Sequence, residues 1–313
     1  MAQLPLPFRR FKLHSQAPPI LADAAPFAPS LTFSRQPSFA NRYSQLRLSS
    51  PLYKLAPRLQ RQKYNTSQSP PRMSSPAIEP RYLTLFQNLE SLFAKVTFLP
   101  SEKWSIPAIA TLVAGPDPES TAQLYLYLTS QSRYATSESR KELIRRLREA
   151  LLKSVIIVGV CKPIEAILAI SKVEKEEDKD ISPPTRKDWA CDEANDERAA
   201  GWFNKIYARN GDATLDLFNA HQDFSWLSTK ITYGLFLSDR QVLDDYDTQL
   251  VVLPAIMSQN LKIETHWHIR GTRRLGVPIE DVKVVMGCVK LVAEFYGVSL
   301  DKVPSPEEVE SDV

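Results

Sequence analysis

Apolar residues recur every three or four positions along most of the chain beyond residue 80. In residues 81–96, this spacing relates Leu85, Leu89, Leu92 and Val96, which places them on one face of a helix. Later stretches repeat the pattern, and no stretch alternates apolar and polar residues over the length of a strand. The pattern therefore predicts an all-α protein.

Residues that start and stop helices refine this picture. Ser139 and Glu142 have the spacing of a capping box and open a long helical stretch. A second group of helices is predicted to begin near Asp192. Pro278 lies at the first turn of the last long helix, where proline is favoured. Pro254 is predicted to end or kink the helix that contains it.

Composition divides the chain into five predicted segments. Residues 1–80 contain no glycine, many Pro and Ser, and scattered Arg. They are predicted to be disordered because they bury too little apolar surface to offset the entropy of ordering. Residues 81–175 and 191–300 are predicted to form two helical lobes, joined by a charged linker over residues 176–190. Residues 301–313 are predicted to be a flexible tail.

The charge is distributed unevenly between the start of the chain and the rest. Residues 1–72 carry eleven Lys or Arg and one acid, which leaves 28 basic and 35 acidic residues, a net charge of −7, in the remainder. This acidic remainder does not favour a nucleic-acid partner. An Arg-rich, Ser-rich, acid-poor start is typical of a transit peptide, so a mitochondrial location is predicted. The alternative is a cytoplasmic protein that starts at Met73.

The cysteines and the hydropathy disfavour three further classes. Cys161, Cys191 and Cys288 are far apart and form no C-x-x-C pair, so neither a disulfide framework nor a zinc finger is predicted. Cys161 and Cys288 lie in apolar helical stretches and are predicted to be core residues. No apolar run reaches the roughly 18 residues of a membrane-spanning helix, so no membrane span is predicted.

The segment from Asn260 to Gly276 concentrates the candidate chemistry. Glu264 and His268 are four residues apart on one helix face, and Asn260 extends that face by one turn. A carboxylate beside an imidazole holds its tautomer and raises its pKa, which gives a positioned acid/base pair. The alternative is a surface ion pair worth about 0.3–0.5 kcal/mol. His266 and His268 diverge on a helix, so no metal site is predicted.

Four sequence pieces in this half occur in the order and spacing of a known family. They are NGD, YDTQLVVLPAIMSQN, ETHWHIRGTRRLGVPIEDV and CVKLVAEFYGV. Through them, residues 199–298 resemble the carboxymuconolactone decarboxylase family, which includes the alkylhydroperoxidase D-like proteins. Residues 147–170 resemble the family's last helix, turn and following helix more weakly. The resemblance implies a helical bundle of two diverged family lobes, and a homo-oligomer.

The resemblance also shows where this chain departs from its peroxidase-type members. Those proteins use a C-x-x-C pair, a downstream His and an upstream Glu, and these positions here hold Leu261, Glu264, His268 and Gln249. Without the two thiols, disulfide-based peroxide reduction by the family route is excluded. The retained Glu264 and His268 resemble instead the decarboxylase branch, which needs no metal or organic cofactor.

Three hypotheses follow from this resemblance. The first is a cofactor-independent lyase that acts on a small carboxylated lactone or keto acid, with His268 as acid/base and Glu264 as its orienting partner. The second is a non-enzymatic helical scaffold or partner-binding protein. The third is residual peroxidase activity through Cys161 or Cys288.

Four more residues are predicted to bind substrate under the lyase hypothesis. Arg270 and Arg273 are assigned to the substrate carboxylate, and Gln249 and Asn260 to the rest of the site. The alternative for the arginines is a solvated helix end with no ligand.

Overall fold

The computed structural model describes residues 77–313, and all regular secondary structure in this range is helical. This confirms the all-α prediction. The transit peptide, the start at Met73 and most of the segment predicted to be disordered concern residues 1–76, which lie outside the described residues.

The helices differ greatly in length, and a ten-residue π-helical stretch, Leu227–Phe236, follows the eighth. In chain order, the helices are α1 (Pro80–Phe93), α2 (Ser105–Ala114), α3 (Thr121–Thr129), α4 (Ser137–Val158), α5 (Cys161–Val173), α6 (Glu193–Tyr207), α7 (Gly211–Asp216), α8 (Gln222–Trp226), α9 (Asp245–Met257), α10 (Lys262–Arg274), α11 (Ile279–Tyr296) and α12 (Pro306–Glu310).

Two helices form the centre of the molecule. Every residue of α2 is buried, and so is every residue of α9 from Asp247 to Met257. A helix that is apolar on all sides has no face to present to water. It must be surrounded by other helices, and α2 indeed packs against α4, α9 and α11. In the described residues, no helix combines the length and apolarity needed to cross a bilayer.

The two predicted lobes share α9. Val251 lies in the main apolar cluster, which contains residues of α1 to α5 together with residues of α11. Val252 and Ile256 lie in a second cluster, formed with α6 and the π-helical stretch. Because the main cluster joins residues from before and after the predicted linker, the linker does not divide the core.

The predicted linker is largely exposed to solvent, but ion pairs anchor it to the helices. Asp178 is 1% exposed, and Arg140 donates to both of its carboxylate oxygens at 2.6 and 2.9 Å. Arg186 makes a similar fork to buried Glu149, at 2.6 and 2.9 Å. Two-pronged contacts of this kind fix orientation as well as charge. Charged residues of the predicted linker therefore anchor it to α4.

Some helix boundaries follow the predicted signals and others do not. Helix α6 begins near Asp192 as expected, and the Asp192 side chain caps it, but α4 is capped by Thr136, three residues before Ser139. Pro254 lies inside α9 without ending it, and the helix continues for three more residues to Met257. A proline removes one backbone donor, and the surrounding buried contacts of α9 sustain the helix past it.

Residues 301–313 are not the flexible tail that was predicted. They contain α12, which begins with a capping box between Ser305 and Glu308. Val309 is fully buried in the main cluster. A capped turn with a buried apolar residue is anchored to the body of the protein.

Candidate functional site on helix α10

Helices α9 and α10 bring two of the predicted site residues, Gln249 and His268, into contact. Helix α10 packs against α9 and α6. A Cβ atom at Gly271 would lie 2.6 Å from Cγ2 of Ile206 in α6, closer than such atoms approach. The absence of a side chain at Gly271 therefore permits the close contact between α10 and α6.

His268 is buried, and its side-chain partner is Gln249 of α9. The Gln249 amide nitrogen lies 3.1 Å from His268 Nδ1 and 3.0 Å from the His268 backbone carbonyl oxygen. A carbonyl oxygen only accepts, so the amide must present its NH₂ end to both atoms. His268 Nδ1 is then an acceptor, and the imidazole proton resides on Nε2.

This environment keeps the imidazole neutral. Burial, and secondarily the charge of Arg270, lowers the pKa of His268 from 6.5 to about 3. No carboxylate of the described residues contacts the ring to oppose this lowering of the pKa. The neighbouring Gln249 amide does not stabilise an imidazolium as a carboxylate would. At neutral pH, His268 is therefore a hydrogen-bond donor through Nε2 and a weak base.

Two tyrosines of the second cluster complete the surroundings of His268. The Tyr207 ring stands edge-on to the imidazole, with 6.4 Å between the ring centres. The Tyr233 hydroxyl donates to the Tyr207 hydroxyl at 3.2 Å. Burial raises the pKa of both phenols, so they act as neutral hydrogen-bonding groups. Their sequence positions carry no local signal that would have linked them to His268.

Glu264 does not form the predicted pair with His268. It is exposed in the first turn of α10 and makes no hydrogen bond or ion pair with any residue of the described range. Spacing of four residues places two side chains on the same helix face. Here, however, Glu264 lies where that face is exposed to solvent, and His268 lies where it is buried.

The two predicted substrate arginines are engaged by the end of the chain. Arg270 is 3% exposed, and its guanidinium donates to the Asp312 carboxylate. Arg273 forms a fork to Glu310, at 2.7 and 2.9 Å. The α10 arginines are thus neither a solvated helix end nor free to receive a ligand in this conformation.

Asn260 has a backbone role. Its φ of +56° places it in the left-handed region, which asparagine tolerates better than most residues. Its side chain donates to Asp301 at 2.8 Å and accepts from the Lys302 amide at 2.9 Å. Asn260 therefore fastens the turn before α10 to the segment after α11, away from His268.

The cysteines differ from the prediction in one case. Cys288 is buried as expected, and burial raises the pKa of its thiol to about 12. Cys161 is exposed at the start of α5 rather than in the core. A thiol that stays protonated is a poor nucleophile, so Cys288 is unsuited to peroxide chemistry.

The most apolar of the described pockets lies elsewhere on the molecule. It has a volume of about 480 Å³ and is lined by apolar and charged residues of α4, by apolar residues of α5, and by residues 182–186 of the connector. None of its lining residues belongs to α9 or α10. Within residues 77–313, no group of three or more His, Cys, Asp or Glu side chains is arranged to hold a metal ion.

Comparison with known proteins shows similarity to two yeast proteins. The chain is similar to Peroxisomal protein 2 of Schizosaccharomyces pombe, 25% identical over 142 residues that cover 44% of this chain and 63% of that protein. It is also similar to Peroxisomal protein 2 of Saccharomyces cerevisiae, 24% identical over 98 residues that cover 31% of this chain and 35% of that protein. The matches thus span less than two thirds of either relative. No family model and no solved structure matches the chain.

Proposed function

We propose that this chain is a peroxisomal, non-enzymatic binding protein built on a carboxymuconolactone decarboxylase-like arrangement of helices. The contact between Gln249 and His268 carries the proposal. Gln249 occupies the position at which peroxidase-type members of that family have a proton-relaying Glu. An amide at this position accepts no proton, and it leaves His268 neutral. The exposed Glu264 does not replace the missing acid.

The peroxisomal location rests on the names of the relatives. Both are called Peroxisomal protein 2, and this contradicts the mitochondrial location predicted from composition. Basic, Ser-rich and acid-poor composition describes many segments that carry no mitochondrial signal. An internally tagged full-length chain should co-localise with a peroxisomal marker in cells. Co-localisation with a mitochondrial marker instead would contradict the proposal.

Self-association is part of the proposed function. Helix α5 exposes Ile164 and Leu168, and Val160 is exposed at its N-cap; the three are 47%, 50% and 51% accessible. Adjacent exposed aliphatic residues of this kind often mark protein interfaces. We expect a dimer or larger assembly in sedimentation, and Ile164→Asp should shift it to monomer. A monomeric wild-type chain would remove this part of the proposal.

The acid/base lyase is retained as a second candidate because of one observation. His268 holds its proton on Nε2, and its ring packs edge-on against Tyr207, whose hydroxyl accepts a hydrogen bond from Tyr233. A neutral imidazole of this kind can donate to a developing oxyanion, as neutral histidines do in some isomerases. In such an enzyme, His268 would be an electrophile, and the general base would have to be another group.

One experiment separates the two candidates. The full-length chain is incubated with a panel of small carboxylated lactones and keto acids, and carbon dioxide release is measured. We expect no release from the wild type, from His268→Ala or from Gln249→Glu. Release by the wild type that is lost in His268→Ala would establish the lyase and overturn the binding proposal.

A further inference from the structure

Asp312 is held by four side chains from two parts of the chain. Its side-chain carboxylate receives Arg270 and, at 3.1 Å, His266 Nε2. Its backbone carbonyl oxygen receives Arg274 at 3.0 Å and Arg209 at 3.1 Å. A single aspartate near the end of the chain is thus the shared ligand of three arginines and a histidine.

The Arg270 guanidinium is buried beneath Asp312, and its hydrogen-bond donors are not all paired within residues 77–313. Only 4% of the Arg270 side chain is exposed. Its Nε atom is buried and has no hydrogen-bond partner among the described residues. A guanidinium carries five N–H donors, and leaving a buried donor unpaired is unfavourable. The pocket around Arg270 therefore has more donor capacity than Asp312 alone satisfies.

The segment that carries Asp312 is firmly packed as far as Glu310. Helix α12 ends at Glu310, with Val309 fully buried and Glu310 paired to Arg273. Asp312, by contrast, retains 36% side-chain exposure. Moving residues 311–313 out of the cluster would break two backbone hydrogen bonds, from Asp312 to Val309 and from Val313 to Glu310. It would leave Val309 buried and Glu310 paired to Arg273.

We propose that His266, Arg209, Arg270 and Arg274 form a binding site for a small dicarboxylate, which Asp312 fills as an internal ligand until a dicarboxylate displaces it. Guanidinium groups recognise carboxylates through charge-assisted hydrogen bonds. This inference deepens the proposed binding function and rests on it for its biological meaning.

The chain length of the ligand follows from Asp312 itself. The carboxylate that contacts Arg270 and the carbonyl that contacts Arg274 are separated by the α- and β-carbons of one aspartate residue. Two acidic groups at that separation make a four-carbon dicarboxylate. A second carboxylate would also replace a neutral carbonyl opposite Arg209 and Arg274, so the displacing ligand would gain an ionic contact that Asp312 lacks.

Calorimetric titration of the full-length chain with succinate tests the site. Asp312→Asn keeps the shape of the internal ligand and removes its charge. Because the wild type must first release Asp312, we expect the variant to bind succinate at least about tenfold more tightly. Adding Arg270→Gln to that variant should abolish binding. Glu310→Gln, which removes a carboxylate that contacts only Arg273, should bind as the wild type does.

Two further arms keep the test decisive. Butyrate, with one carboxylate, and inorganic phosphate should each bind Asp312→Asn at least about tenfold more weakly than succinate does. In the wild type, saturating succinate should speed amide hydrogen exchange at residues 311–313 while α12 stays protected. This second readout holds even if a variant fails to fold.

Several results would overturn the site. They are equal succinate affinity in the wild type and in Asp312→Asn, equal affinity for succinate, butyrate and phosphate, binding that survives Arg270→Gln, and unchanged exchange at residues 311–313. Failure of this site can be distinguished from failure of the proposed function. Lactone turnover would overturn that function while leaving the titration interpretable, and a failed titration would remove this site alone.

Discussion

The two sides of α10 hold their histidines in opposite ways. On the inner side, His268 is buried against an amide, Gln249, and is neutral. On the other side, His266 shares the Asp312 carboxylate with Arg270. The difference teaches that spacing within one helix does not decide histidine chemistry. The partner supplied by another part of the chain decides it, and here the carboxylate partner belongs to the side that was not predicted.

The largest expected effect is the loss of stability when Gln249, the partner of His268, is replaced. Gln249→Ala removes both hydrogen bonds to His268 and leaves a cavity in a fully buried helix, so we expect a loss of about 3 kcal/mol in the free energy of unfolding. Gln259→Ala is the matched control, because Gln259 is exposed two residues beyond α9 and its loss should change stability by about 0.5 kcal/mol or less. Urea unfolding measures both. A loss below about 1 kcal/mol for Gln249→Ala would show that this contact contributes little.

The contact between α10 and α6 is the next largest effect. Gly271→Ala places a methyl group 2.6 Å from Ile206 Cγ2, and such overpacking costs about 1–3 kcal/mol. Gly201→Ala in α6 is the control, since a methyl group there meets no atom within 4 Å. It should leave the protein unchanged or up to about 1 kcal/mol more stable, because alanine favours helix. Equal thermal unfolding of the two variants would contradict the described packing.

Acid should destabilise the folded chain because His268 is buried in its neutral form. The pKa of His268 is about 3 in the folded chain and 6.5 in the ordinary state, so between these values the unfolded chain binds the extra proton. Stability is therefore fully present above about pH 6.5 and falls as pH decreases towards 3, by up to about 1.4 kcal/mol per pH unit.

The window from pH 6.5 to 5 tests this slope, because it lies above the ordinary range of carboxylates. His268→Phe should show a smaller loss of unfolding free energy across the window than the wild type does. Measurements at pH 8, where His268 is neutral in both states, give each protein its reference. Parallel losses in the two proteins would mean that His268 is not buried in its neutral form.

Glu264→Gln should have the smallest effect. Glu264 is exposed and unpaired within the described residues, so we expect a change in the free energy of unfolding of about 0.5 kcal/mol or less at pH 7. The pH dependence described for His268 should also persist in this variant. A loss above about 1 kcal/mol, or an altered slope, would restore the predicted pair of Glu264 and His268.

Local patterns were sufficient for the helices but not for their partners. The all-α class, the start of the second group of helices near Asp192 and the burial of Cys288 depend on residues close in the sequence, and local patterns predicted them. The division into lobes did not follow, because α9 is apolar on all sides and joins two clusters. Nor did composition predict that charged residues such as Arg186 would fasten the connector, since their partners lie far along the chain.

The candidate site shows the same limit. The sequence singled out His268, Gln249 and Arg270, and all three are buried around α10. It paired His268 with Glu264 because they are neighbours on a helix, whereas the actual partner lies 19 residues earlier. It also treated residues 301–313 as a tail, although Asp312 is the ligand of Arg270. Both contacts depend on tertiary packing, which spacing does not encode.

The most direct test of this account is the protonation state of His268, followed by nitrogen NMR of the imidazole in the full-length chain. We predict a neutral ring with its proton on Nε2 at pH 7, which remains neutral down to at least pH 5. His268→Ala identifies the signal, and Gln249→Ala should perturb it. An imidazole that instead titrates between pH 6 and 7, and responds to Glu264→Gln, would contradict the account and place a working acid/base pair on this helix.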